Sequence, residues 1–178
     1  QKLRLGLLGY SEYYVDAGKV LSPIPYTLLE IHRGNQTPFY ANGTFNLMNY
    51  FEFVSDEYVS FDYQHHFGGL LFNRIPLLRK LKLREVAVAN AVYGGLSKQN
   101  KSYNDTKLFN TLAKGPYVEA GVGIENLLSI IRFDFLWRLT YTDPLYRADY
   151  RQLQLDQGVT RPYTINNFGV KMSLMFAF

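Results

Sequence analysis

The sequence contains no cysteine among its 178 residues, which excludes disulfide frameworks, cysteine-ligated zinc sites and thiol catalysis. It also lacks any apolar run close to the roughly 18 residues that a transmembrane helix needs. The most apolar stretch, residues 127–139, is interrupted by Arg132, Asp134 and Arg138. No signal peptide precedes the strand-like sequence that begins at Gln1, and this predicts a mature product or a fragment.

Neither basic nor acidic residues are in large excess. The 19 basic and 15 acidic residues give a net charge of +4, too weak to indicate nucleic acid, so no nucleic-acid partner is expected. His65 and His66 point to opposite faces of a regular strand and His32 is distant in sequence, so neither a metal site nor another cofactor is predicted. Aromatic residues are abundant instead, at 16%, which favours sheets and membrane interfaces over helical bundles.

The last eleven residues alternate in character along a predicted strand. The odd positions include Gly169, Lys171 and Ser173, whereas the even positions are all large and apolar. Successive side chains point to opposite faces, and about 10 residues of this pattern suffice for a tilted strand to cross a bilayer. We therefore predict a membrane-spanning strand with these lipid-facing residues: Phe168, Val170, Met172, Leu174 and Phe176.

Residues 131–141 repeat this pattern, with apolar or aromatic side chains at odd positions and three charges at even positions. A Lys or Arg turned toward lipid costs about 2–4 kcal/mol near the midplane, so the charged face is expected to be the lumen face. A soluble sandwich with its apolar face inward remains an alternative. The predicted lipid-facing residues are Phe133, Phe135, Trp137 and Leu139. The predicted lumen-facing residues are Arg132, Asp134, Arg138, Glu119 and Lys171. Tyr141 and Phe178 are predicted to belong to aromatic girdles at strand ends.

The remaining predicted strands are 2–10, 13–20, 45–54, 57–67, 84–96 and 117–124, which makes eight in all, with no long helix. Strands 45–54 and 57–67 are expected to form a hairpin around Ser55 and Asp56. Links 97–116 and 143–165 are long and polar whereas link 125–128 is tight, as is typical of outer-membrane barrels. The long link 21–43 breaks this rule and indicates an error of one strand near the start.

These patterns predict an all-β fold, a transmembrane antiparallel β-barrel that occupies residues 1–178 as one domain. Ser60, Asp62 and His66 share one strand face, but Ser60 and His66 would lie about 20 Å apart, whereas a nucleophile and its base need about 3 Å. We therefore predict no catalytic residue, although a partner from another strand would leave a hydrolase open. The densest basic cluster has two interpretations. It contacts anionic lipid headgroups or an acidic partner, or it is an ordinary solvated turn. Its residues are Arg74, Arg79, Lys80, Lys82 and Arg84.

Several blocks of the sequence resemble the C-terminal barrel of an uncharacterised group of large outer-membrane proteins with an N-terminal carboxypeptidase-regulatory-like domain. The blocks are residues 25–32, 45–56, 75–86, 116–126 and 137–141. That group is distantly similar to the BamA- and TamA-like surface-antigen superfamily, whose sixteen-stranded barrels insert or translocate other proteins. The resemblance implies the second half of such a barrel, in the outer membrane of a Gram-negative bacterium, with a non-enzymatic role in outer-membrane protein assembly or translocation.

The resemblance also implies partners. A final strand that ends in Phe176 and Phe178 resembles the signal read by the barrel-insertion machinery, and such a strand can add to a sheet by edge pairing. Arg33 and Gly34 resemble the Arg-Gly pair of the superfamily's lumen loop. Outer-membrane lipid and other outer-membrane or periplasmic proteins are further expected partners. A passive pore, or an anchor for missing N-terminal domains, is the alternative function, and whether the chain is a complete barrel stays open.

Overall fold

The computed structural model of the chain describes residues 1–104 and 109–175. The strands are β1 Lys2–Arg4, β2 Tyr10–Lys19, β3 Glu30–Ile31, β4 Val54–Ser55, β5 Glu57–His66, β6 Arg84–Gly95, β7 Tyr117–Leu127, β8 Ile131–Arg138 and β9 Phe168–Leu174. The α-helices are α1 Pro76–Leu81, α2 Lys98–Tyr103 and α3 Pro144–Asp156. Short 3₁₀ turns cover Gly6–Leu8, Tyr26–Leu28 and Phe72–Arg74. No helix in these ranges is long and apolar enough to cross a membrane.

Seven strands form one antiparallel sheet in the order β1-β2-β5-β6-β7-β8-β9, and β3 pairs with β4 in a separate small sheet. The prediction of a mostly β, antiparallel fold is confirmed. Within the described residues the large sheet is open, because β1 and β9 form its two edges and do not pair with each other. The expected count of eight strands is wrong by one in this sheet.

The error in the strand count lies near the start of the chain, in residues 45–54. They form an irregular turn-rich segment rather than a strand. Phe45 and Phe53 make only isolated bridges, and Val54 at the end belongs to β4, which pairs with β3. The Asn46 side chain accepts from Ala41 N, and that of Asn35 accepts from Thr37 N. Asparagine side chains that bond nearby backbone favour turns over strands. There is consequently no hairpin at Ser55 and Asp56, and β2 pairs directly with β5. Predicted strand 2–10 is too long, since β1 ends at Arg4.

The connections between neighbouring strands differ in length at the two ends of the sheet. Residues 20–56, 96–116 and 139–167 join strands at one end, which we call the long end. Residues 5–9, 67–83 and 128–130 join them at the other, the short end. Because residues 45–54 are not a strand, the long link near the start extends from residue 20 to residue 56. It lies at the same end of the sheet as the other long links, so the exception noted for link 21–43 disappears.

Helix α3, of 13 residues, lies in one of the long connections, where no long helix was expected. The side chain of Asp143 accepts a hydrogen bond of 2.7 Å from Tyr146 N, and Pro144 occupies the first turn. An Asp cap followed by Pro is a common start of a helix, so this signal was present in the sequence. Tyr146, Tyr150 and Gln154, four residues apart, form the buried face of the helix.

Residues 30–56, the covering segment, lie against one face of the large sheet, which we call the covered face. The opposite face is the open face. Strand β8 shows the division: Arg132, Asp134, Leu136 and Arg138 are buried on the covered face, whereas Phe133, Phe135 and Trp137 alternate with them on the open face. Trp137 is 44% exposed. The division of polarity is therefore the reverse of a water-soluble sheet, which buries its apolar face.

Buried apolar side chains form three clusters within the described residues, one of which consists of Leu29, Val54, Leu96 and Phe109. Leu47 of the covering segment packs with Val86, Val88 and Leu136, so these valines of β6 face the covering segment and its alanines face outward. The main cluster is aromatic and lies toward the long end. Its residues are Phe45, Met48, Phe53, Val92, Leu112, Tyr117, Tyr141, Tyr146, Tyr150 and Ile165.

The predicted girdle role of Tyr141 is wrong. Strand β8 ends at Arg138, and the backbone of Tyr141 has a φ of 55°, which turns the chain away from the sheet. Its ring is buried against Phe53 and Tyr146, and its hydroxyl donates to Gly115 O at 2.7 Å. The alternation that suggested a longer strand continued by chance into the turn.

Candidate functional site

The covered face carries an unusual density of buried polar and charged side chains. Each of them is less than 9% exposed. They come from strands β5 to β9 and are Gln64, His66, Asn90, Glu119, Glu125, Arg132, Asp134, Arg138 and Lys171. Because a buried charge without partners is very costly, the bonds that these groups make determine what the face can do.

Glu119, at the middle of the covered face, is fully buried and binds the covering segment by its backbone. Its carboxylate accepts from Asn46 N at 2.6 Å and from Leu47 N at 2.9 Å. It also accepts from the Asn90 side chain at 3.0 Å and the Tyr117 hydroxyl at 2.9 Å. Four donors compensate the loss of water, and two of them belong to the covering segment.

Arg138 and Glu52 form a second link between the sheet and the covering segment, near the long end. The guanidinium donates to Glu52 at 2.6 and 3.2 Å, and both side chains are fully buried. Glu52 also accepts from the Tyr146 hydroxyl of α3 at 2.9 Å and from Asn49 N at 2.8 Å. Removal of one partner of such a pair would leave an uncompensated charge, at a cost of about 3–5 kcal/mol.

Lys171 of β9 forms a third link. Its ammonium group donates to Asn35 O at 2.9 Å and to Thr37 O, both in the covering segment. The Asn35 side chain in turn donates to Asn46 Oδ1 at 2.8 Å and to Phe39 O at 2.7 Å. Lys171 on the sheet therefore holds this turn of the covering segment by its backbone carbonyls, and the Asn35 side chain sets the shape of the turn.

Toward the short end, the charges of the covered face satisfy one another. Arg132 donates to both oxygens of Asp134 at 2.7–3.0 Å and to Gln64 Oε1 at 2.9 Å. His66 Nδ1 lies 2.9 Å from Glu125 Oε2, and the His66 ring stacks on Tyr10. This group of side chains joins strands β2, β5, β7 and β8 across the face. It also contacts the covering segment, because Gln64 donates to Asn42 Oδ1 at 2.9 Å and Arg132 lies over the Tyr40 ring.

Arg33 and Gly34 lie in the covering segment, where the resemblance anticipated a loop motif. A Cβ at Gly34 would lie 2.3 Å from Asn49 O, so only glycine allows the two parts of the segment to approach this closely. The Arg33 side chain is exposed and lines a cavity of about 580 Å³, which Asp62 and Ser60 also line. The cavity is the part of the covered face near β2 and β5 that the segment leaves free.

The five residues predicted to face a lumen all lie on the covered face, each with a partner described above. Seven of those predicted to face lipid lie on the open face: Phe133, Phe135, Trp137, Phe168, Val170, Met172 and Leu174. Leu139 is exposed but follows the end of β8. Phe176 and Phe178 lie outside the described residues. The contact of these faces with lumen or lipid stays a prediction.

Sequence reasoning missed Glu52 and Asn46, because residues 45–54 also alternate in a strand-like manner. The signal that could have found them is the asparagines at positions 35, 42, 46 and 49, which are rare within strands. Asparagines spaced three to seven residues apart indicate a segment whose backbone is hydrogen-bonded by its own side chains rather than by a neighbouring strand.

Ser60, Asp62 and His66 are not brought together, since Asp62 accepts from Gly43 N and His66 pairs with Glu125. Over residues 1–104 and 109–175, no group of three or more His, Asp or Glu side chains is arranged to hold a metal ion. Chemically, the covered face can hold a peptide segment by charge-assisted bonds, and it does so with the chain's own residues.

The comparisons with known proteins give one match. A family model described as the C-terminal domain of a family of unknown function, DUF5686, matches residues 1–106. No similar curated protein was found. No similar solved structure was found either. The match thus covers more than half of the chain, including β1 to β6 and the covering segment.

His32 makes the attachment of the covering segment sensitive to pH. Its ring lies 2.9 Å from Ser55 Oγ, and burial lowers its pKa from 6.5 to about 4. An unfolded segment takes up a proton below pH 6.5 that the buried ring resists, so this contribution to stability is present above pH 6.5 and is lost as pH falls toward 4.

We expect the natural protein to lose about 2 kcal/mol more than a His32→Gln variant between about pH 7.5 and about pH 5. Thermal unfolding of both proteins at the two pH values measures the difference. Glutamine keeps a donor near Ser55 but does not titrate. Equal pH dependence of the two proteins would contradict a buried neutral His32.

Proposed function

The chain belongs to the DUF5686 C-terminal domain family, a family of unknown function, and we propose that it forms part of the wall of a plugged β-barrel in the outer membrane of a Gram-negative bacterium. In this proposal the open face meets lipid, the covered face surrounds the lumen, and the covering segment is the plug. The chain acts as a non-enzymatic scaffold in the assembly or translocation of other outer-membrane proteins.

The observation that carries the proposal is the polarity of the sheet. Arg132, Asp134 and Arg138 are at most 5% exposed, whereas Val122, Trp137 and Phe168 are 44–54% exposed. In water this arrangement would leave a broad apolar surface uncovered, which soluble proteins rarely do. In a bilayer the same surface is the favourable one, because lipid-facing strands alternate apolar outward and polar inward.

The lengths of the connections also support the proposal. Outer-membrane barrels have short periplasmic turns and long outer loops. The short end, which β9 approaches as it runs toward the C-terminus, is therefore assigned to the periplasm, and the long end to the cell exterior.

The open edges of the sheet support a larger barrel. At the edge of β9, Met172 N donates to Pro38 O at 2.9 Å and Met172 O accepts from Tyr40 N at 2.8 Å. This parallel contact involves only one residue of β9 within the described chain. Because unpaired strand edges are not tolerated in hydrocarbon, further strands must complete the wall. We propose that the chain forms the C-terminal part of a sixteen-stranded barrel, to which the described residues contribute seven strands.

The scaffold role is favoured over a passive pore by the covering segment. Glu119, Arg138 and Lys171 bind it from three different strands, so it closes the space beside them. The resemblance to barrels that insert or translocate proteins supplies the assembly role. A membrane anchor for N-terminal domains remains the second candidate, since an anchor also needs no open channel.

Contact with lipid can be tested at near-isosteric positions, because the chain has no cysteine. Ala89 and Ala91 lie on the open face of β6, and Ser60 lines the cavity on the covered face. Spin labels on Ala89→Cys and Ala91→Cys should collide with oxygen rather than with a water-soluble nickel chelate, because oxygen concentrates in hydrocarbon. The label on Ser60→Cys should show the opposite preference. Nickel access at both alanine positions would rule out a lipid-facing sheet.

The plug can be tested by conductance in planar bilayers. The natural protein should show no steady open channel, whereas Glu52→Ala should show openings, because Arg138 is left buried without its carboxylate at a cost of about 3–5 kcal/mol. The matched control is Glu57→Ala, which removes an exposed partner of Lys19 whose contribution to stability is small because water screens the pair. A steady channel in the natural protein would favour the passive pore instead.

The assembly role can be tested by depletion of the natural protein from its cell. We expect the amounts of other outer-membrane proteins to fall, because their insertion would lose its scaffold, and quantitative proteomics of isolated outer membranes measures the change. Re-expression of the natural protein should restore them and Glu52→Ala should restore them less. An unchanged outer-membrane proteome would contradict the assembly role and leave the anchor.

A further inference from the structure

The short end of the sheet exposes large apolar side chains in each of its three connections. Leu7 in residues 5–9 is 95% exposed, Leu77 in residues 67–83 is 71% exposed, and Leu128 in residues 128–130 is 80% exposed. Leu8, Leu71, Ile75, Leu81 and Ile130 are exposed in the same connections. Single exposed leucines are ordinary, but their recurrence at one rim of the sheet forms an apolar border.

The longest of these connections is also strongly basic. From residue 67 to residue 84 the chain has five cations and no Asp or Glu. The cations are Arg74, Arg79, Lys80, Lys82 and Arg84, and all five are exposed. Within residues 1–104 and 109–175, none of them has a carboxylate at ion-pair distance. Their positive charges are therefore not neutralised by a carboxylate of the described chain.

Hydrogen bonds hold this basic connection at the rim. Glu85 of β6 accepts from Leu71 N at 2.9 Å and from Phe72 N, which fixes the start of the connection. Asn126 donates from its side chain to Lys82 O at 2.8 Å, which ties the end of α1 to the turn that carries Leu128. The cations and the exposed leucines thus belong to one surface, which we call the basic rim.

We infer that the basic rim binds the headgroups of anionic phospholipids, with its leucines inserted beside them. The inference rests on the proposed function, which places the short end at the periplasmic leaflet. Basic residues with apolar side chains between them are typical of segments that lie in a membrane interface, where cations meet phosphates and apolar groups enter the acyl region.

A lipid leaflet fits the rim better than an acidic protein does. The leucines lie in three separate connections, and the border continues onto the open face through Leu174, which is 52% exposed. A membrane surface contacts all of these positions at once, whereas a protein partner would need to follow the whole perimeter. Lys and Arg side chains are also long enough to reach phosphates while their stems cover apolar surface.

The test measures lipid selectivity of the natural protein in phosphatidylcholine vesicles by electron paramagnetic resonance. Spin-labelled phosphatidylglycerol and spin-labelled phosphatidylcholine are compared for the fraction of lipid that the protein immobilises. We expect a preference of about twofold or more for phosphatidylglycerol at low salt, and a loss of the preference at high salt. The triple variant Arg79→Gln, Lys80→Gln and Lys82→Gln should bring the ratio close to one.

The matched control removes three exposed cations from the long end: Lys98→Gln, Lys101→Gln and Arg151→Gln. It has the same change of charge and should keep the preference. An equal ratio for the two lipids in the natural protein, or an unchanged ratio in the rim variant, overturns the inference and leaves the proposed function intact. Binding of soluble polyglutamate by the rim with no lipid preference would assign the surface to an acidic protein. Absence of any immobilised lipid would overturn both the inference and the membrane proposal.

Discussion

The structure depends on the cost of burying charge. Glu119, Arg138 and Lys171 project from the same sheet face and are nearly inaccessible to solvent, so each needs partners that replace water. The covering segment supplies many of those partners, through its backbone N–H and C=O groups and through Glu52. The segment in turn has little regular structure of its own, and its shape follows from where the sheet places donors and acceptors. Neither part is satisfied without the other, which is why an irregular segment of this length can be well defined.

The same constraint explains the contrast between the two faces of the sheet. Where every second residue of a strand is charged and points to the covered face, the apolar residues between them point to the opposite face, since neighbouring side chains along a strand point in opposite directions. Strand β6 departs from this rule in part, with Val86 and Val88 on the covered side. There the covering segment presents Leu47 instead of a polar group, so the local partner decides the residue type. The polarity of each position therefore matches what lies against it, in the covering segment or in the surroundings.

Sequence reasoning predicted the sheet best where strict alternation coincided with charge, as in β7, β8 and β9. There a shift of one residue would move ions to the apolar side, so the register is strongly determined. It failed at residues 45–54, where alternation is present but the asparagines favour turns, and at Tyr141, where the pattern ran past the strand end. Helix α3 was missed although Asp143 and Pro144 signal its start, because residues 143–165 are polar and fit the long link expected of a barrel. The bonds from Glu119 to the covering segment could not be predicted, since they join residues more than seventy positions apart.

The position of the covering segment in the chain has a consequence for the order of folding. Residues 30–56 precede every one of their main anchors, which lie on β7, β8 and β9. During synthesis the segment emerges before the groups that hold it, and closing such distant contacts is slow because of the entropy of the intervening chain. Strands β2 and β5 can pair while the segment between them is still unattached. Attachment of the covering segment is then a late event in folding. It is complete only after β9 has joined the sheet, because Lys171 of β9 is one of its anchors.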